Sequence, residues 1–216
     1  MGPRDRILNA AMTVFRRHGF RRSSIEEAAK AAGLTRQALY HHFKSKEALF
    51  RAVIERVHEG ALADGAAAAE QAEARARTLA DIVVAQVLAR LQAFVASFDG
   101  SPHIEELFSE HLIQGSDLYQ RYAAMHDAQV AATVERVVKK QGLKLAPGMS
   151  ATKLARYVEL AVVGTKSAYP SMRPAEAFLR DAEAILRMLI AGAVAPSGSK
   201  RPSAVQTVRR KRGASK

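Results

Sequence analysis

Four polar side chains, Arg36, Gln37, Tyr40 and His41, fall in one short segment of the chain, RQALYHHF. At about 100° per residue, Gln37, Tyr40 and His41 lie on the face opposite Leu39 and Phe43, with Arg36 on the flank. The chemistry that such a set offers is hydrogen bonding to a polar surface. A helix anchored by a few apolar residues, with Arg, Gln, Tyr and His turned outward on its first turns, has the layout of a helix-turn-helix recognition helix. The segment before it positions this helix. Ser24 is a good N-cap with Glu27 three residues on, which forms a capping box. Ile25, Ala28, Ala29 and Ala32 follow at helical spacing, and the small alanines let a second helix approach closely. Gly33 supplies the left-handed residue that ends the first helix, Leu34 plugs the turn, and Thr35 caps the next helix. A plain helical hairpin with a polar outer face would show the same pattern.

A second group with chemical potential is Lys44-Ser45-Lys46-Glu47. Ser45 caps a further helix, and the amides at that start, with the two lysines beside them, would suit a phosphate. Arg21 and Arg22, just before Ser24, offer either a solvated turn or backbone phosphate contacts.

Other chemistries find little support. The 216 residues contain no cysteine, which excludes disulfides, thiolate zinc sites and thiol redox sensing. There is no glycine-rich phosphate loop, no HExxH and no GxSxG, so no catalytic residue, metal or cofactor is nominated. Glu105, Glu106 and Glu110 read as an acidic helix start rather than a catalytic set. No apolar run approaches the roughly 20 residues that span a bilayer, and the charged N-terminus does not resemble a signal peptide. The expectation is a cytoplasmic protein without membrane contact.

The net charge of +12 is unevenly distributed: residues 1–58 carry +7, residues 197–216 another +7, and the stretch between them −2. A basic N-terminal unit on a near-neutral body suits a polyanion at one end and a different partner at the other.

Pro3 opens a first helix with the apolar stripe Ile7, Leu8, Ala11, Val14 and Phe15, ended by Gly19. Leu49, Phe50, Val53, Ile54 and Val57 continue the stripe on the helix after Ser45, closing a small core with Phe15, Phe20, Leu39 and Phe43. With RILNAAMTVFRRHGF and SIEEAAKAAGLTRQALYHHFKSKEALF in view, residues 6–54 resemble the N-terminal DNA-binding domain of the TetR/AcrR family of transcriptional regulators. The resemblance covers roughly a quarter of the chain. It implies that Ser24 and Thr35 are caps that also touch phosphates and that Arg36 and Gln37 read bases. Tyr40 and His41 would contact the DNA backbone, and Lys46 a phosphate. Gly33, Leu39 and Phe43 would hold the motif, and His42, closer to the buried face on the helical wheel, would pack beneath it. Arg suits guanine and Gln adenine in the major groove.

The rest of the chain reads as helices, so the expected fold is all-α: a helix-turn-helix domain over 1–58, a helical regulatory domain over 59–195 and a basic, disordered tail over 196–216. The alanine-rich run after residue 58 could end the fourth helix or form a connector. Phe94, Phe98, Phe108, His111, Tyr122, Met125, His126 and Tyr157 are candidates to line a ligand cavity, although a filled core would use the same residues. Apolar and small residues on the last two helices, Leu154, Val158 and Ala161 with Phe178, Ala182, Ile185 and Leu189, are candidates for the interface of a homodimer. The resemblance implies such a pair, and a palindromic operator read by one helix per half-site requires it. The expected whole is a repressor of double-stranded DNA, released from its operator by a small-molecule effector of unknown identity.

Overall fold

The computed structural model describes residues 2–195; the expected basic tail, 196–216, lies outside them. The described residues form nine α-helices: α1 (Pro3–Arg22), α2 (Ile25–Ala31), α3 (Arg36–His42), α4 (Lys46–Ala74), α5 (Leu79–Phe98), α6 (Ile104–Gln114), α7 (Ser116–Gln141), α8 (Ala151–Ala168) and α9 (Ala175–Ala193). A 3-10 turn at Pro170–Met172 joins the last two, and no β-strand occurs among the described residues.

Local chemistry sets the helix ends. Pro3 sits in the first turn of α1. Gly19 breaks α1 with φ 74° and ψ 171°, and the chain bends there before Phe20 folds back. The Ser24, Thr35 and Ser45 hydroxyls accept hydrogen bonds from the amides of Glu27, Ala38 and Ala48. The Glu27 carboxylate in turn accepts from the Ser24 amide at 2.8 Å, and that amide holds it below the usual range. Gly33 adopts φ 69° directly after α2, the left-handed geometry that ends a helix at low cost.

Under α1 to α3, Ile7, Leu8, Phe15, Phe20, Leu39, Phe43, Leu49 and Phe50 are all buried. Phe50 is the hub, edge-on to Phe15 at 5.1 Å and tilted against Phe20 at 4.8 Å. Such ring pairs add about 0.5–1.5 kcal/mol beyond their buried area.

The alanine-rich stretch continues α4 without a break, so the expected boundary at residue 58 falls inside a helix that serves both halves of the molecule. Alanine favours helix enough to carry the chain through two glycines. Gly65 marks close packing: a Cβ there would lie 2.7 Å from the Gln86 carbonyl oxygen of α5. Gly60 has no such neighbour. The α4–α5 contact is the most extensive between helices.

Helix α5, with mean hydropathy 1.6, is by length and composition apolar enough to cross a membrane, contrary to the expectation from run length. Its apolar faces are taken up inside the protein: Ile82, Val83, Val87, Leu91 and Phe98 are at most 2% exposed against α4, α7 and α9. It is the central core helix. The loop before α8 is tied to the end of α9 by backbone hydrogen bonds from Ala146 to Ala193 and from Ala195 to Lys144.

Candidate functional site

Two regions carry the chemistry: the outer face of α3 and a cavity in the body. On α3, Leu39 is fully buried and Tyr40 half-buried, while Arg36, Gln37 and His41 are exposed. The Arg36 guanidinium lies 5.5 Å from the Tyr40 ring centre and pairs with Glu26 of α2. Both partners of that pair are well exposed, so it orients Arg36 while costing little to exchange for another acceptor. His42 differs from its expected packing role and is exposed, since the helix turns only Leu39 and Phe43 fully inward.

Lys46 also differs. Its ammonium donates to the carbonyl oxygens of Phe20 (3.0 Å), Arg21 (3.3 Å) and Ser23 (3.2 Å), and it lies 4.5 Å from the Phe20 ring centre. An ammonium has three donors, and all three are engaged. Lys46 therefore ties the start of α4 to the end of α1 instead of standing free as a phosphate clamp. Lys44, next to it, is exposed.

Helix α6 joins the two regions. The Glu106 carboxylate accepts a hydrogen bond from the Arg21 amide at 2.7 Å, and that of Glu110 accepts from the Arg21 guanidinium at 3.1 Å. Gly19 is favoured here by its φ of 74°, and a Cβ there would also push the Glu106 carboxylate aside. Arg51 of α4 grips Asp117 of α7 through two hydrogen bonds, at 2.8 and 2.7 Å, and holds its carboxyl down at about 2. Deeper in, His58 of α4 meets His111 of α6, and the Tyr122 hydroxyl donates to Glu59.

The other face of α6 walls a cavity of about 500 Å³ between α4, α5, α6, α7, α8 and the 3-10 turn. Phe94, Phe108 and His111 line it as expected. Phe98 stands behind them, 5.4 Å from Phe108, and Tyr122 is fully buried with its ring stacked on His58 at 4.9 Å. His126 is buried beside Glu159, 3.6 Å away, and does not face the space. Met125 and Tyr157 lie elsewhere: Met125 is 46% exposed on α7, and the half-exposed Tyr157 ring lies beneath Lys153. Their helices turn them away from the cavity.

Sequence reasoning missed the charged and titratable lining residues His58, Arg90, Tyr119 and Lys166, together with apolar ones such as Leu91, Val163 and Met172. A lone arginine in the otherwise apolar middle of α5 was the available signal. Burial pushes the His58 imidazole down to about 3 and His111 to about 4, so both are neutral near pH 7. Burial and the nearby Arg90 lower the Lys166 ammonium to about 8.

The expected dimer residues divide. Leu154, Val158, Phe178 and Ala182 are at most 1% exposed within a single chain, because the helical period turns them into the core of the body. They cannot meet a partner. Ile185 is 40% exposed and Ala161 and Leu189 are half-buried; Leu160, Val163 and Met188 are exposed with them at 48%, 43% and 69%.

Residues 7–53 match the family described as bacterial regulatory proteins, tetR family. The chain is 47% identical over 60 residues to the HTH-type transcriptional regulator UidR of Escherichia coli K12, covering 28% of this chain and 31% of that one. It is 39% identical over 93 residues to the HTH-type transcriptional repressor NicS of Pseudomonas putida, covering 43% and 39%. The matched stretch thus spans about a third of the curated relatives. Among solved structures, SmeT, the repressor of the Stenotrophomonas maltophilia multidrug efflux pump SmeDEF, aligns with TM-score 0.60 at 23% identity over 89% of this chain and 91% of that one. A TetR-family transcriptional regulator from Pectobacterium atrosepticum aligns with TM-score 0.65 at 20% identity over 88% and 93%. These two likenesses establish the fold along nearly the whole described chain, and the relatives are regulators rather than enzymes. Residues 7–53 thus form a helix-turn-helix domain similar to that of the tetR family of bacterial regulatory proteins.

Proposed function

We propose that the protein is a cytoplasmic, dimeric transcriptional repressor that binds a palindromic operator in double-stranded DNA and is released by a small-molecule effector. One observation carries this reading: α6 borders the cavity through Phe108 and His111 and also holds α1 through Glu106 and Glu110. A molecule that fills the cavity therefore presses on the helix that sets the position of the DNA-binding unit. Arg36 and Gln37 are the base readers in this reading, Tyr40 and His41 contact the DNA backbone, and Ser24, Thr35 and Lys44 lie along the phosphates. A pair of chains places two α3 helices in successive major grooves, about 34–36 Å apart. The effector shifts the population away from that spacing only as far as it binds the non-DNA conformation more tightly. The solved complex of SmeT with triclosan supports a small-molecule effector by analogy of fold.

The domain division follows the same logic: residues 1–58 read DNA and residues 59–195 bind effector and partner, with α4 shared. Footprinting the protein on the DNA upstream of its own gene tests the reading. A protected palindrome at nanomolar protein, in physiological salt, is expected. Uniform coating without sequence preference would refute it.

A further inference from the structure

Arg90 enters the cavity from the middle of α5 with 5% of its surface exposed, and its Nη1 has no hydrogen-bond partner. Lys166 of α8 lines the same space, its ammonium 5.3 Å from the centre of the Tyr119 ring. Among the described residues, neither cation has a carboxylate within 4.0 Å. Glu159 and Asp127 act on Arg90 only from beyond that distance, and a buried guanidinium without a directly paired anion is costly to remove from water.

The surrounding charges fix the sign of the site. Glu159 of α8 is turned towards His126, and Asp127 of α7 is half-buried and also feels the exposed Arg156. Counted alike, with the exposed Arg156 and Glu105 on opposite sides, cations and carboxylates balance. Arg90 and Lys166 line the cavity, however, whereas Glu159 and Asp127 do not, and His58, His111 and His126 are neutral. Atoms of His126, Asp127 and Glu159 come within 4.8 Å of one another, close enough to hold a metal ion. The adjacent Arg90 and Lys166 oppose a divalent cation there and favour an anion on the cavity side. The remaining wall is apolar and aromatic: Leu91, Phe94, Phe108, Val163 and Met172.

We propose that the cavity binds an apolar organic acid, with its carboxylate between Arg90 and Lys166 and its hydrocarbon body against Phe94, Phe108 and Met172. The assignment rests on reading the cavity as the effector site, and it names the effector's chemical class. A guanidinium can accept a carboxylate through two parallel hydrogen bonds, and the low-dielectric wall strengthens that pairing. A cavity of this size accommodates a two-ring body.

The test uses the full chain and three probes that share a naphthalene body: 2-naphthoate, its isosteric amide 2-naphthamide, and 2-naphthylmethylammonium. Calorimetric titration should show the acid binding at least about tenfold more tightly than the amide, with the ammonium weakest. In Arg90→Gln and in Lys166→Met, with folding checked by far-UV circular dichroism, the ratio of acid to amide affinity should collapse towards one. Equal affinities for acid and amide in the unmodified protein, or a ratio that both substitutions leave intact, overturn the assignment. So does failure of all three probes to bind. If the acid binds with the expected discrimination yet leaves operator affinity unchanged, the anion site stands and the effector reading of the cavity falls.

Discussion

The Nε2 atoms of His58 and His111 lie 3.0 Å apart, so one imidazole donates to the other across the junction of α4 and α6. Such a bond needs a free lone pair on one ring, hence at least one neutral histidine, and two imidazolium ions this close would repel each other. The pair is enclosed by Phe94, 5.1 Å from His58 and 5.4 Å from His111, and by the stacked Tyr122 ring. Helix α4 runs on from the helix-turn-helix unit and α6 walls the cavity, so the contact sits at the junction of the two regions.

Acid should weaken the fold at this junction. Burial holds His58 at about 3 and His111 at about 4, below the ordinary imidazole value of about 6.5. Between those values the unfolded chain binds more protons than the folded one, so stability is complete above about pH 6.5 and falls as the pH drops towards 4. Each histidine contributes a slope of up to about 1.4 kcal/mol per pH unit in that window. Thermal melts from pH 7.5 to 4.5 should show a steady loss of Tm, and His58→Phe should make it shallower by one histidine's share, His111 and His126 keeping theirs. A flat profile in the unmodified protein would refute the neutral pair.

Gly19 should resist substitution. Its φ of 74° strains any residue with a Cβ, and that Cβ would displace Glu106 from the Arg21 amide. Gly19→Ala should lower stability by about 1–3 kcal/mol, measured by urea unfolding. The same variant should weaken operator binding, because the lost contact anchors α6 to α1. A variant as stable as the parent would show that α6 can shift without penalty.

The capped turn of α2 and α3 was legible in the sequence because its causes are local. Ser24, Gly33, Thr35 and Ser45 act on residues within about three positions, and the structure places each as a cap or a turn. The body was legible only as helices. An apolar stripe on α8 shows that a face is covered without showing what covers it, so Leu154 and Val158 read as interface although they are core. Arg90, Lys166 and His58 come together from α5, α8 and α4, and such a meeting leaves no trace in local spacing. Lys46 was misplaced for a related reason: its partners are carbonyls at residues 20, 21 and 23.

Lys46 offers a direct contrast with Lys44. Lys46→Ala leaves three carbonyls at the end of α1 without this donor and should lower Tm by several degrees. Lys44→Ala should leave Tm unchanged and reduce the slope of log affinity against log salt by about one unit. If Lys46→Ala changed the salt slope without touching Tm, its assignment as an internal tie would be wrong.

Gln37→Ala should relax base preference at one operator position, costing about 1–3 kcal/mol on the preferred sequence and little on others. Glu26→Ala tests the neighbouring reader from the other side. It removes the exposed partner of Arg36 without touching the core, so stability should stay within about 0.5 kcal/mol. Operator affinity should hold or rise, since Arg36 no longer exchanges one acceptor for another. Competition binding against a panel of single-base operator variants reads both effects.

The exposed apolar face of α8 and α9 offers a test of the proposed dimer. Leu160 and Met188 are 48% and 69% exposed in the single chain, whereas Leu154 is fully buried. A charge at either exposed position should leave the helices folded but prevent two such faces from meeting. Met188→Glu, alone or with Leu160→Glu, should reduce the mass seen by light scattering from twice the 23.4 kDa chain to the chain itself. Operator affinity should fall with it, because each half-site is then bound without its tethered neighbour. Leu154→Ala should do the opposite, lowering stability by about 2–5 kcal/mol while the remaining folded protein stays dimeric. A dimer that survived both glutamates would place the partner on another face.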